Sequence, residues 1–506
     1  MNDIRCMKFD IGNRILLSFL LLLLTISAAA QDVMIHRGCR VGTPRPEAMA
    51  SCRVAAGGVA KRTGGDFYHG VRHQLTVMVE FNDRAFKGNE AATLAQWNKI
   101  FNTENLTEAP FKGSVHDYFL AQSYGKFSVF FDLYFVKVSG DAKKYASDLT
   151  DENSQYLVQD IMEVLKNRND IDWSLYDWNG DGFVNQLLII YAGQGMNDYD
   201  SSQYSYLVWP HQWWMSEHLK DRQPDVYCDP IPITYNDKEY KIDCYCALAE
   251  LTRKNDYGSF GTICHEYTHC FGFPDFYYGQ TGMKYVHGWD LMDSGNYNGG
   301  GYQPPGYSAH ERWFMGWLTP IELKVNTTVN NMPSLDSADR AYLIRNNGFD
   351  DEYYIIENRQ QTSWDTSLPG NGIVIFHIDF DPNLWVSVKN YVNSYDNQHY
   401  VLIHANNTSS PIEGWPYPYF QNDSLTNTST PAAELNNANT DGTKLMNKSL
   451  LDMKVENGLA SFRFTVPPTT GIEERKAEGT PQVLYRLGSV TILRYPNGVI
   501  RKTVIK

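Results

Sequence analysis

The sequence predicts a mixed α/β domain followed by an all-β, sandwich-like domain. Three observations carry that expectation. Apolar, β-branched runs such as 74–81 and 186–191 alternate with helical patterns in the first part of the chain. A helical segment beginning near Gly261 follows directly on a strand candidate, Ile242 to Leu251. After Pro320 the texture changes to short alternating strands separated by turns rich in Asn, Asp, Gly and Pro.

The elements follow in order. Ile15 to Ile26 is almost continuously apolar, preceded by Arg5, Lys8 and Arg14 and followed by Ala28-Ala29-Ala30. That is the layout of a signal peptide cleaved after Ala30, and the run is shorter than the ~20 residues a membrane span needs. Residues 1–30 are therefore read as the signal, and residues 31–70, Gly-, Arg- and Ala-rich without a period, as a leader or short pro-segment. Strands are expected at 74–81, 126–138, 186–191 and 242–251, and helices at 91–101, 115–123 and 154–166, filling a catalytic domain over 71–320. The β-rich domain spans 321–468, with strands at 341–345, 352–358, 372–379 and 400–404 and a long polar loop over 422–443. Glu357, Arg359, His377 and Asp379 in this part carry no ligand signature. Residues 469–506 read as a linker and tail with two short strands.

Composition narrows the function. A chain of 506 residues with 42% hydrophobic and 20% charged residues folds around a substantial core. Its net charge of −14, with no basic stripe, argues against a nucleic-acid partner, because phosphate contacts need clustered Lys and Arg. A signal peptide implies a secreted, extracellular protein, free or associated with the cell surface, with no transmembrane anchor once the signal is removed. Of eight cysteines Cys6 leaves with the signal, and seven is an odd number, so no complete disulfide framework is expected. Cys228, Cys244, Cys246, Cys264 and Cys270 crowd around one segment.

That segment is 261–275, which contains His265-Glu266-Tyr-Thr-His269. Helical positions i and i+4 share a face, so His265 and His269 can hold one cation. Glu266 then sits beside the metal, placed to take a proton from bound water. Gly272 offers a left-handed turn at the helix end, after which Asp275 can supply a third ligand and leave a fourth position for water. Glu311 is the alternative third ligand. Met292 is a candidate apolar floor, and Tyr297 and Tyr307 are candidate donors to a developing oxyanion. Cys264 and Cys270 point about 100° of helix away from the histidines and are expected to be buried or disulfide-bonded.

The arrangement His-Glu-x-x-His-x-x-Gly-x-x-Asp with a following Met resembles metzincin-type peptidases, and more narrowly the immune inhibitor A family of secreted metallopeptidases. The segments 114–118, 177–182, 208–213, 265–275 and 307–317 carry the narrower likeness. It implies a zincin-type fold and a zinc endopeptidase acting on proteins or peptides, with His265, His269 and Asp275 on Zn2+. Glu266 would activate the zinc-bound water. The family's large inhibitory pro-region is not evident between the signal and the first strand, and Cys39 as a zinc-blocking thiolate is the weaker reading of that leader.

A second motif runs from Asp177 through Asn179, Gly180, Asp181, Gly182 and Phe183 to Asn185. Oxygens at alternate positions with Gly at the sixth match the first half of an EF-hand loop, which predicts Ca2+ on Asp177, Asn179, Asp181, the Phe183 carbonyl and Asn185. Leu188 stands where the bidentate Glu belongs, so the site is incomplete. The rival reading of the whole chain is a surface adhesin or glycan-binding protein with a vestigial zinc site. An intact Glu266 argues against it.

Overall fold

The computed structural model describes residues 66–146, 153–199, 206–217, 229–258, 260–277, 286–385, 392–393, 398–467, 480–487, 490–496 and 500–504. The signal and most of the leader, Cys39, Cys228 and the 468–479 linker lie outside the described residues. The chain divides into two compact units, one reaching Phe464 and one from Thr465 to Lys506.

The first unit is mixed α/β, with several sheets and few helices. Its leading sheet has five strands: β1 (Gly70–Glu80), β2 (Phe127–Lys137), β3 (Leu187–Gln194), β4 (His211–Trp214) and β5 (Cys244–Leu251). They lie in the order β2-β1-β3-β5-β4, all parallel except β4 at the edge. Buried parallel strands read as unbroken apolar runs because both faces are covered, and the alternation shows how. Met78, Leu188, Ile190, Cys246 and Leu248 face one core. Val77, Val79, Leu187, Ile189 and Ala247 face another.

Helices cover both faces. On the first lie α1 (Glu90–Asn102) and α2 (Val115–Gln122), burying Trp97, Phe101, Tyr118 and Phe119. On the second lies α3 (Ser154–Leu165), burying Leu157, Ile161 and Leu165. Asn89 caps α1, and Ser114 with Asp117 forms a full capping box on α2. A cap of this kind contributes about 1 kcal/mol. The expected helix near Gly261 is α4 (Phe260–His269), on the same core as α1 and α2.

The sequence left β4 and the strand Lys238–Ile242 unpredicted, and of the expected strand 242–251 only Cys244–Leu251 is β5. Lys238–Ile242 forms a hairpin with Ile231–Tyr235 through Asn236 and Asp237, both at positive φ. Positive φ at two successive turn residues is the type I′ geometry that suits a two-residue hairpin.

Past a short helix, α5 (Ala309–Phe314), the chain is mainly strands. β6 (Tyr342–Asn346), β7 (Phe349–Arg359), β8 (Gly372–Asp379) and β9 (Tyr400–Leu402) form an antiparallel array, joined at its edge by Ile321–Glu322. Leu343, Ile355, Phe376 and Tyr400 belong to the same continuous core as α4. Thr327–Met332, Leu459–Thr465 and Ser449–Glu456 form a further three-stranded sheet. Within the second unit, Gln482–Leu487, Val490–Arg494 and Ile500–Val504 make an antiparallel sheet, one strand more than the sequence suggested.

Candidate metal centre

Every residue of α4 is buried. The helix starts close against the segment beyond Asp290, since a Cβ on Gly261 would lie 1.9 Å from the Asn296 carbonyl oxygen. At its other end Gly272, at φ +94°, bonds its N–H to the His269 carbonyl at 2.9 Å and turns the chain back. Only a residue without a Cβ adopts that conformation readily.

The returning chain brings Asp275 to the two histidines. Asp275 Oδ1 stands 3.1 Å from His265 Nε2 and 3.3 Å from His269 Nε2. The three side chains each offer one ligand atom within 4.8 Å of the others, the only such group of His, Cys, Asp or Glu among the described residues. His265 Nδ1 lies 2.7 Å from the Leu291 carbonyl oxygen, and His269 Nδ1 lies 2.7 Å from that of Phe273. A carbonyl only accepts, so Nδ1 carries the proton and Nε2 presents a lone pair in each neutral ring. Both Nε2 atoms are buried and face Asp275 Oδ1. Tyr277 donates its hydroxyl to the outer Asp275 oxygen, Oδ2, at 2.9 Å. Two imidazole nitrogens and a carboxylate oxygen converging at a buried site fit a borderline divalent metal such as zinc.

The electrostatics agree from both partners. Burial pushes the His265 ring down, but the contact with Asp275 outweighs it and lifts the ring to about 9. Burial pushes the Asp275 carboxyl up, and the two imidazoles bring it down to about 2. Glu266, next along the helix, is wholly buried.

Glu311 stands apart from this group. Its backbone N–H and side chain close a capping box on Ser308 at the start of α5, the carboxylate accepting the Ser308 N–H at 2.6 Å. Met292 is wholly buried, and its carbonyl accepts the Phe276 N–H at 2.9 Å. Tyr307 is buried with its hydroxyl against Thr268 Oγ1, while Tyr297 is half-buried at the end of a short helical turn. Cys264 and Cys270 are buried, as are Cys244 and Cys246, and burial pushes the Cys264 thiol up.

The Asp177 loop is built differently. Asp177 accepts the N–H groups of Gly180 and Gly182 at 2.9 and 3.1 Å, and Asp181 accepts that of Phe183 at 2.8 Å. Asn179 donates to Asp181, and Asn185 Oδ1 accepts the Trp178 N–H. Lys238 Nζ, which the sequence reading did not consider, stands 2.9 Å from Asp177 Oδ2. A protein cation thus occupies the best acid of the loop.

Residues 71–317 match the family described as immune inhibitor A peptidase M6, catalytic domain. Over that stretch the chain is similar to the immune inhibitor A catalytic domain. The curated immune inhibitor A of Bacillus thuringiensis subsp. alesti is 26% identical over a 187-residue alignment that covers 32% of this chain. The chain spans only 25% of that relative's length. The matched stretch holds the five-stranded sheet, α4, the three converging donors and α5. Among the described residues no helix is long and apolar enough to cross a membrane.

Proposed function

We propose that this chain is an exported zinc endopeptidase. The observation that carries the proposal is the convergence of Asp275 with two buried imidazole nitrogens on a helix that also carries Glu266. His265, His269 and Asp275 hold the metal. Zinc bound there would polarise the scissile carbonyl and acidify the attacking water. Glu266 takes the proton from that water and passes it to the leaving amine. Leu291 and Phe273 fix the rings through their carbonyls, and Tyr277 keeps one Asp275 oxygen turned outward. Glu311 supports α5 from outside the donor set.

Domain roles follow the same reading: signal and leader to residue 70, the catalytic domain over 71–320, β-rich support to 468, then the linker and tail. Secretion rests on the signal pattern. Ca2+ at the Asp177 loop is a subordinate proposal, because binding there must displace Lys238. The test is cleavage of casein by purified protein. Cleavage should stop on chelation and return with added zinc, and cleavage that survives complete metal removal would refute the proposal.

A further inference from the structure

We propose that Tyr400, in the β-rich segment beyond the family match, is a positioning residue for the metal centre. This inference rests on the zinc reading above. Tyr400 opens β9 and is wholly buried. Its ring stacks on Phe276 with centroids 3.8 Å apart and planes 14° from parallel. Its hydroxyl reaches Asp290 Oδ2 at 2.7 Å and Ser308 Oγ at 2.8 Å. The hydroxyl has one hydrogen, which the Asp290 carboxylate accepts. Ser308 Oγ, within reach of the same hydroxyl, also accepts the Glu311 N–H.

Both groups held by Tyr400 are chain neighbours of the metal site. Phe276 follows Asp275, and Asp290 precedes Leu291, whose carbonyl fixes His265. The two segments are also tied to each other, because the Phe276 N–H bonds the Met292 carbonyl and Asp290 Oδ1 accepts the Met292 N–H at 2.8 Å. Asn393 closes the arrangement, donating to the carbonyls of Phe276 and Tyr400 at 2.6 and 2.8 Å. One side chain therefore sets the distance between the segment carrying the acid ligand and the segment orienting the first histidine. Groups that orient metal ligands from outside typically change affinity or activity by about 10–100-fold when removed.

The test is zinc affinity of the full-length chain, measured by competition with a chromophoric chelator at a temperature where the metal-free protein is folded. Tyr400→Phe keeps the stack and removes the hydroxyl, and should bind zinc about 10-fold more weakly than the parent. Tyr400→Leu removes both grips and should bind more weakly still. Tyr354→Phe is the control, since that buried hydroxyl in the same sheet bonds the Glu434 carbonyl and touches neither segment. It should lower thermal stability without changing zinc affinity. Equal affinity in Tyr400→Phe and parent, or equal weakening in Tyr400→Phe and Tyr354→Phe, overturns the inference while the zinc reading stands. A parent that takes up no zinc overturns both. Should Tyr400→Phe fail to fold, Asp290→Asn removes the charged acceptor and is read by the same criterion.

Discussion

The His265–Asp275 segment and the Asp177–Asn185 loop were both singled out by ligand spacing, and the structure treats them oppositely. In the first, backbone carbonyls take the Nδ1 protons and leave two buried Nε2 atoms facing one carboxylate oxygen. In the second, the carboxylates are turned onto their own backbone N–H groups and onto Lys238. Spacing shows where donors can gather. Whether their lone pairs are already used decides whether a cation is called for.

The largest effect expected on the first side of this comparison is at Glu266. Glu266→Gln keeps the shape and removes the base, so proteolysis should fall by about 10²–10⁴-fold with zinc content unchanged. Kinetics and metal analysis on one sample check this, and full activity in the variant would break the assignment.

A smaller effect concerns pH in the metal-free protein. His265 is lifted from 6.5 to about 9 by Asp275, after burial has pulled it the other way. Its contribution to stability is therefore fully present below pH 6.5 and is lost as pH rises through about 9. Asp275, held down to about 2, loses its contribution only as pH falls through that value. Metal-stripped protein should thus lose on the order of 3 kcal/mol of unfolding free energy between pH 6.5 and 9. Zinc-loaded protein, whose His265 would carry no proton on Nε2, should not. Denaturant titrations at the two pH values decide it, and a flat profile in stripped protein would contradict the contact.

The smallest effect lies in the loop. Calcium held at ~100 times its dissociation constant would stabilise a vacant site by roughly 2.7 kcal/mol, but in the parent it must first displace Lys238. Added calcium should therefore raise the thermal midpoint of Lys238→Ala more than that of the parent, and raise that of Asp181→Ala least. Equal responses in all three would reduce the loop to a turn.

Much of the leading sheet and the donor set was legible because both rest on local pattern. Runs buried on two faces showed β1, β3 and β5, and i, i+4 spacing with Gly272 and Asp275 showed the donors. β4 was not legible: His211–Trp214 is four residues long with no alternation to read. The hairpin turn at Asn236-Asp237 did leave a signal, since both residue types tolerate positive φ. Lys238 and Tyr400 left none. The first meets Asp177 across 61 residues and the second meets Asp290 across 110, and no local period encodes such contacts.

In the proposed metal centre His265, His269 and Asp275 would hold the metal while Glu311 serves only α5. Zinc content after dialysis, in the parent, Asp275→Ala and Glu311→Gln, tests it most directly. One zinc per chain in the parent and in Glu311→Gln, with almost none in Asp275→Ala, is the expected result. Zinc retained in Asp275→Ala and lost from Glu311→Gln would contradict it.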